Sequence, residues 1–436
     1  MCVFRFFAAF SSFCINILII FSFIMVVGGF IYTAGRRRRA KTGSRKYTEY
    51  PTVSVIVPAR NEENVIRATV LSLIDQDYPK DRYEIIVVND NSSDGTGEVL
   101  RGMQDEFPDT ALRVITTDEK TGGKGKSSVL NMAFEKSSAE FIAVYDADNT
   151  PEPDALRLLV EALMEDEKFS AVTGKFRTRN RKESLLTRLI DQETLIAQAV
   201  SQAGFWRHFK TGIIPGTNFV IRRSALEELG GWDVKALIED TEMSFRLLAK
   251  GKLIKYIPEA VTWEQEPGRF RAWLRQRTRW ARGNIILTAK SAPQLFKRCC
   301  YRFKVVELFM LSMYVMLFGG VVFSDIAFIG GLFGFFRFPS TGVFSAIYQI
   351  SWITQIVLYL SVALIAILQE KEERNAASIL LIPVMLLVYS RLWIVIIIRA
   401  VFKMIRDAAK HREASWDKTE HLAEKAFPEP AHSARK

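Results

Sequence analysis

The sequence predicts an α/β domain built on a parallel sheet and flanked by apolar membrane helices. Three observations predict it. Strand-like and helix-like segments alternate four times between residues 50 and 165, the pattern of a parallel sheet with right-handed crossovers. Each strand-like run ends in a polar cluster, and open sheets of this kind bind ligands at their carboxyl edge. Apolar residues concentrate in the first 34 positions and after residue 303, in runs too long for a soluble core.

Residues 1–35 read as an uncleaved transmembrane anchor. The span 6–34 is nearly free of charge, Arg36-Arg37-Arg38-Arg39 follows it rather than precedes it, and no small-residue cleavage site stands out. Positive charge stays inside, so the amino terminus is expected outside and the basic linker 36–50 in the cytoplasm. The net charge of +11 does not indicate nucleic acid as a partner. The basic residues crowd beside apolar runs, where they meet anionic membrane lipids. The four cysteines include the adjacent pair Cys299-Cys300 and make no disulfide framework, which fits a reduced cytoplasmic domain.

Val53–Val57 is a β-branched strand ended by Pro58, followed by Arg60-Asn61-Glu62-Glu63 and a helical pattern to about Asp75. Tyr83–Val88 is the next strand. It delivers Asn89-Asp90-Asn91-Ser92-Ser93-Asp94-Gly95-Thr96, a polar turn opening a helix. Such an end receives anions, and plain turn chemistry with a helix cap accounts for it as well. Leu112–Thr117 is a third strand. Thr121-Gly122-Gly123-Lys124-Gly125-Lys126-Ser127 then opens a helix. Its glycine spacing is not that of a P-loop, although its lysines can meet a diphosphate.

Phe141–Tyr145 reads as a buried strand that runs into Asp146-Ala147-Asp148. Alternation along a strand points both carboxylates the same way. Two hard oxygen ligands on one face suit Mg²⁺ or Mn²⁺. Alone, Asp-x-Asp is common, and a strand end capped by solvated acids is the commoner explanation.

A strand over 169–176 and a helix over Ser184–Gln202 come next. Glu239-Asp240 opens a helix, where acids are ordinary partners of the helix dipole. Arg269–Ala281 contains Gln276-Arg277-Thr278-Arg279-Trp280, and helical spacing puts Gln276, Arg279 and Trp280 on one face. With Trp263, Trp273 and Trp280, the same stretch also fits an interfacial helix on lipid headgroups.

Taken in order, Val88-Asn89-Asp90 with Asp94, Asp146-Ala147-Asp148, Glu239-Asp240 and Gln276-Arg277-Thr278-Arg279-Trp280 resemble the signature set of a membrane-embedded processive glycosyltransferase of family 2. That group includes cellulose, chitin, hyaluronan and poly-N-acetylglucosamine synthases. The last motif is a full match to Q-x-x-R-W, and Pro58-Ala59-Arg60-Asn61-Glu62 resembles the family's first loop.

The resemblance implies a GT-A (Rossmann-like) cytoplasmic domain, a UDP-sugar donor and an inverting, metal-dependent transfer. Residue by residue, it implies that Pro58, Arg60, Glu62 and Asp90 hold uracil and ribose, and that Lys126 and Arg279 meet the diphosphate. Asp146 and Asp148 position the nucleotide and its Mg²⁺ or Mn²⁺, with Asp148 the direct ligand. Asp240 is the general base, and Gly216, Thr217, Glu239, Gln276 and Trp280 lie on the acceptor side. Many members have cysteine where this chain has Pro215. The expected acceptor is a growing polysaccharide extruded across the membrane. The alternative is one sugar added to a lipid, since glycolipid-forming relatives carry a similar motif. The set Asp90, Asp146, Asp148 and Asp240 argues against a third class, a transporter or receptor with a nucleotide-sensing domain.

The domain plan is thus an anchor (1–35), a linker (36–50), a catalytic domain (51–283), an interfacial helix (284–303), transmembrane helices (304–403) and a basic tail (404–436). The protein is expected in the plasma membrane as a multi-pass chain. Three apolar blocks, 304–335, 343–368 and 376–402, would leave the basic tail outside if each crossed once. Its charge places it inside, so one block is expected to be re-entrant or interfacial. In the tail, Trp416-Asp417-Lys418-Thr419 resembles the segment that gates the donor site in some of these synthases. Few helices are available to enclose a channel, which leaves room for a second copy or an accessory membrane subunit.

Overall fold

The structure, a computed structural model, describes residues 2–40, 47–333 and 343–410. Helix α1 (Cys2–Ala40) leads into the alternation β1 (Val53–Ala59), α2 (Ile66–Ile74), β2 (Tyr83–Asn89), α3 (Thr96–Glu106), β3 (Leu112–Thr116), α4 (Lys126–Glu135) and β4 (Phe141–Val144). β5 (Thr150–Pro151), α5 (Ala155–Met164), β6 (Phe169–Thr178) and α6 (Leu185–Gln198) follow. A π-helical turn, Ala199–Gly204, joins α6 to α7 (Phe205–Phe209). β7 (Phe219–Arg222), α8 (Arg223–Leu229), α9 (Glu239–Ala249), β8 (Leu253–Glu264) and α10 (Phe270–Ser291) complete the domain.

One eight-stranded sheet runs in the order β3-β2-β1-β4-β7-β6-β8-β5. Its first four strands are parallel, as the alternation predicts. Beyond β4 the sheet is mixed: β7 is antiparallel to both β4 and β6, and β8 is parallel to β6. The parallel register pairs Ala59 with Asn89, Asn89 with Thr116, and Ile56 with Val144. The polar segments after β1, β2 and β4 therefore emerge along one edge. Burial on both faces explains the near-continuous apolar strands. In β1, Ile56 faces one core cluster, while Val55 and Val57 face the other.

The first cluster is not made by the domain alone. Met25 and Val26 of α1 enter it, with Phe303 and Val306 of α11 (Tyr301–Ser312) and Val362 and Ala366 from α13 (Val343–Leu368). Between these helices run a π-helical turn, Met313–Leu317, and α12 (Phe318–Leu332). The approach of α1 depends on glycines. A Cβ at Gly29 would lie 2.6 Å from the Ala199 carbonyl oxygen, and one at Gly204 would lie 2.6 Å from that of Met25.

After α13, an acidic turn docks on the domain. Glu370 pairs with Arg37 of α1 at 3.2 Å, with Arg177 of β6 at 2.8 Å and with Lys175. Arg181 pairs with Glu373 at 3.0 Å and with Glu372. The chain then forms α14 (Ala376–Leu380), α15 (Ile382–Val384), a π-helical turn Met385–Tyr389 and α16 (Ser390–Ala409). Ile396 and Ala400 of α16 are buried with Trp273 and Ala281 of α10. Asp407 pairs with Arg282 at 2.8 Å.

Among the described residues, four segments are long and apolar enough to cross a membrane: Ala9–Arg37, Tyr301–Ile326, Gln349–Leu368 and Ala376–Ala409. Three expectations need correction. The tetra-arginine belongs to α1, not to a linker, because nothing breaks the helix before Ala40. Residues 284–291 are the last turns of α10 rather than part of a separate interfacial helix. The break comes at Pro293, within a short 3₁₀ turn, Ala292–Phe296. Finally, β4 stops at Val144, and the Asn149 N–H donates to the Asp146 carbonyl, so Asp146–Asp148 forms a turn rather than an alternating strand end.

Candidate active site

Two neighbouring groups of residues line the carboxyl edge of the parallel strands. The first gathers around Asp90. Its Oδ1 accepts from the Gly123 N–H at 2.8 Å and from the Thr117 hydroxyl at 3.1 Å, while Arg60 stands 3.9 Å from Oδ2. Asp90 is thus held by a glycine-rich loop folded over the end of β2, and Gly123 takes a positive φ of 72° to present its N–H. Pro58 lies in β1 opposite Val88, and the Glu62 N–H donates to Thr96 at the start of α3 at 2.7 Å. The sequence-predicted set Pro58, Arg60, Glu62 and Asp90 therefore frames one corner of the edge.

The second group gathers around Lys126, at the first position of α4. Its ammonium lies 2.5 Å from Asp146 Oδ1 and 3.4 Å from Glu239, and it donates to the Gly216 carbonyl at 3.1 Å. Thr217 accepts from the Asp146 N–H at 3.1 Å. Gly216 has φ of 94°, and a Cβ there would sit 2.7 Å from Asp240 Oδ2, so this backbone lies directly against the Asp240 carboxylate. One Asp240 oxygen accepts from the Thr241 N–H at 2.7 Å, and the Ser244 hydroxyl holds the Asp240 carbonyl at 2.9 Å. Lys126, Asp146, Gly216, Thr217, Glu239 and Asp240 come from four separate stretches of chain, and the fold brings them together.

Burial and crowding set the electrostatics. Burial, then Glu239, pushes the Asp240 carboxyl up to about 6, against the pull of Lys126. Burial also raises Asp146, with Lys126 pulling it down and Asp148 pushing it further up. For Lys126 burial opposes the charge, but Asp146 and Glu239 outweigh it and hold the ammonium above its ordinary value.

Sequence reasoning missed two acids here. Glu264 ends β8 and Glu266 follows it. Burial raises both, and repulsion from Asp148 adds to the rise in each; Asp146 also acts on Glu264. β5 sets this proximity by pairing Thr150 with Trp263, which lays the turn after Asp148 beside the end of β8. The acid-x-acid spacing at a strand end was the available signal, the same one that singled out Asp146 and Asp148.

On α10, Arg277, between Gln276 and Arg279 of the Q-x-x-R-W motif, is the most buried of its residues, 1% exposed. It pairs with Glu193 at 2.9 Å and Glu266 at 3.6 Å, donates to Gln276 at 2.6 Å, and its guanidinium lies 4.1 Å from the Trp280 ring centre. Arg279 has a buried Nε with no hydrogen-bond partner among the described residues. Trp416, Lys418 and Thr419 lie outside the described residues.

Among the described residues no group of three or more metal-ligating side chains stands close enough to hold an ion, and Asp146 is already paired with Lys126. Asp146, Asp148 and Glu264 repel one another closely enough to raise Asp146 and Glu264. A divalent ion bound by oxygen would relieve that repulsion.

Comparison with known proteins agrees with this architecture. Residues 51–283 match the family described as glycosyltransferase like family 2. The chain is 42% identical over 404 residues to a probable glycosyltransferase, YdaM, of Bacillus subtilis, covering 93% of this chain and 95% of that protein. It is 29% identical over 275 residues to a poly-β-1,6-N-acetyl-D-glucosamine synthase of Staphylococcus epidermidis, covering 61% of this chain and 63% of that protein. It is 31% identical over 274 residues to a β-monoglucosyldiacylglycerol synthase of Trichormus variabilis, covering 61% and 56% respectively. The chain thus spans about six tenths of those two synthases. Among solved structures, a mannosyltransferase from Pyrobaculum calidifontis, in complex with GDP-mannose and Mn²⁺, superposes with a TM-score of 0.58 at 20% identity over 91% of this chain and 99% of that one, which carries the fold. The expected GT-A-like fold and the family resemblance are both borne out: the chain belongs to glycosyltransferase family 2.

Proposed function

We propose that this glycosyltransferase moves a sugar from a UDP-sugar to a growing polysaccharide, with inversion, using Asp240 as general base. The observation that carries the reading is the pairing of an acid and a cation across one short backbone segment. Gly216 touches the Asp240 carboxylate on one side and holds Lys126 through its carbonyl on the other. Inversion needs a base on the acceptor hydroxyl and positive charge at the departing diphosphate. A carboxylate raised to about 6 is ionised near neutral pH and basic enough to take the hydroxyl proton.

In this reading Asp90 with Pro58, Arg60 and Glu62 holds the nucleoside, and Lys126 and Arg279 meet the diphosphate. The buried, unpartnered Arg279 Nε supports that role. Gln276 and Trp280 seat the acceptor sugar beside Gly216, Thr217 and Glu239, an indole face suiting a pyranose. Mg²⁺ or Mn²⁺ would be held by Asp146 and Asp148, with Asp148 the more direct ligand, and when bound would supply charge to the leaving diphosphate.

The catalytic domain is read as cytoplasmic in the plasma membrane. α1, α11–α12 and α13 would cross, and segment 376–409 would lie in the interfacial plane along α10. Two ties support the last point: Trp393 donates to Glu193 of α6 at 2.7 Å, and Asp407 pairs with Arg282 of α10 at 2.8 Å. The basic tail then leaves on the side of the domain, which satisfies both the charge and the crossing parity.

The test is UDP release from the full chain in nanodiscs with Mg²⁺ or Mn²⁺, a panel of UDP-sugars and sizing of the product. A long, glycosidase-sensitive product that Asp240→Asn lowers by about 10²–10⁴-fold supports the reading. Unchanged transfer in that variant overturns the base assignment. A second reading, one sugar added to a lipid, is favoured by the identity to the β-monoglucosyldiacylglycerol synthase. It predicts a one-sugar product that appears only when diacylglycerol is supplied.

A further inference from the structure

We propose that Glu193 is a positioning residue that ties segment 376–409 to the acceptor-seating face of α10. The inference rests on the acceptor role proposed above for Gln276 and Trp280. Glu193 lies on α6 and belongs to none of the sequence motifs. Yet its carboxylate is the meeting point of three elements. Oε2 accepts from Arg277 Nε at 3.1 Å, from Arg277 Nη2 at 2.9 Å and from the Tyr389 hydroxyl at 2.9 Å. Oε1 accepts from Trp393 Nε1 at 2.7 Å. A carboxylate has about four lone-pair sites, two on each oxygen, and three of these four donors converge on Oε2.

The network continues on both sides. Toward the acceptor residues, Arg277 passes the constraint on: Nη1 donates to Gln276 Oε1 at 2.6 Å, and the guanidinium lies 4.1 Å from the Trp280 ring centre. Toward the membrane segment, Tyr389 accepts in turn from Trp273 Nε1 at 3.1 Å. Arg277 is 1% exposed and cannot find water in place of Glu193. Its other carboxylate partner among the described residues is Glu266, at 3.6 Å. Without Glu193 the guanidinium turns toward Glu266, and Gln276 and Trp280 lose the group that fixes their rotamers. Chains of charge-assisted hydrogen bonds hold geometry in this way, and each bond breaks only by leaving a buried donor unmatched. The orientation of Gln276 and Trp280 is therefore set from α6 and from segment 376–409, not from α10 alone.

The test uses the full chain in nanodiscs and two substitutions. Glu193→Gln keeps the volume but removes the charge and leaves one accepting oxygen: at the Oε1 position it serves Trp393 and abandons Arg277 and Tyr389, and at the Oε2 position it serves those two more weakly and turns its amide N–H₂ on the Trp393 N–H. Tyr389→Phe removes one donor from the membrane-segment side and leaves the Arg277 fork intact. Steady-state transfer is measured with UDP-N-acetylglucosamine and a β-1,6-linked N-acetylglucosamine tetrasaccharide, UDP affinity by calorimetry, and backbone exposure by hydrogen exchange.

Glu193→Gln is expected to raise the tetrasaccharide KM about tenfold or more, with kcat and UDP affinity within about twofold. Tyr389→Phe is expected to move KM the same way by about threefold. Exchange over 273–284 is expected to rise in both variants and to stay unchanged over 121–127. An unchanged KM in a working enzyme, or a parallel loss of UDP affinity and kcat, overturns the positioning role. A wild type that transfers no sugar refutes the functional reading instead. Hydrogen exchange still decides the coupling in that case, since unchanged exchange over 273–284 in both variants overturns it.

Discussion

Replacing Gly216 by alanine separates the chemistry of the site from its stability. The added Cβ would lie 2.7 Å from Asp240 Oδ2 and 3.7 Å from Lys126 Nζ. The first distance is shorter than carbon and oxygen tolerate, so the carboxylate or the loop must move by several tenths of an ångström. The residue also holds φ of 94°, which an L side chain adopts at a cost of about 1–3 kcal/mol. Domains of this size typically have about 5–15 kcal/mol of stability, so the variant folds with a midpoint lowered by a few degrees. Its activity should suffer more. The loop lies against both the proposed base and the Lys126 ammonium, and a misplacement near 1 Å costs about 10²-fold in a positioned reaction. The assay is UDP release per folded protein, beside thermal unfolding of the same preparation and UDP binding. A Gly216→Ala protein with a lowered midpoint but transfer within about threefold of wild type would refute the claim that this backbone positions Asp240.

Three further outcomes follow from the same geometry. The rate should fall about tenfold per pH unit below about 6, because Asp240, raised to about 6, must be ionised to accept a proton; a pH profile flat from 5 to 8 would contradict this. Asp148→Asn should weaken Mn²⁺ dependence, raising the metal concentration for half-maximal rate about 10-fold or more, and chelation should abolish wild-type transfer; full activity in excess chelator would remove the metal from the reading. Glu370→Ala leaves Lys175 and Arg177 facing each other without their shared acid, and breaking a buried pair costs about 3–5 kcal/mol; thermal unfolding in nanodiscs measures the loss, and an unshifted midpoint would mean the turn does not clamp the domain.

The parallel half of the sheet was readable because it is local. Each strand from Val53 to Val144 is a short apolar run, and each is followed by its own turn chemistry, so order and direction follow from right-handed crossovers. The candidate residues Asp90, Lys126, Asp146 and Asp240 were readable for the same reason, as polar punctuation after strands or at helix starts. What escaped the sequence is held by long-range pairing. β7 enters between β4 and β6 with reversed direction, and no local pattern announces that. Glu264 reaches the aspartates only because β5, two residues long, pairs with β8 from more than a hundred positions away. Glu193 and Arg277 stand 84 residues apart, and on a helix surface Glu193 looks like one more solvated acid. The strand reading of Asp146–Asp148 failed differently: periodicity gives no stopping point, and the strand stopped at Val144, one residue short of the expected end and before either aspartate.

The glycine-lined seat of α1 bears on how the protein is built. Gly29 against Ala199, and Gly204 against Met25, interlock the first helix with a turn more than 160 residues later, and Met25 and Val26 are bricks of the domain's own interior. Synthesis delivers the first helix long before its partner turn exists, so the cluster that Met25 and Val26 enter stays incomplete until both are made. The last layer of the domain can close only beside that helix. Cutting out residues 51–283, the stretch the family match marks as the enzyme, would bare that interior to water. Assembly order thus becomes an ingredient of the fold, since the interior of the domain is finished only when its first helix is seated.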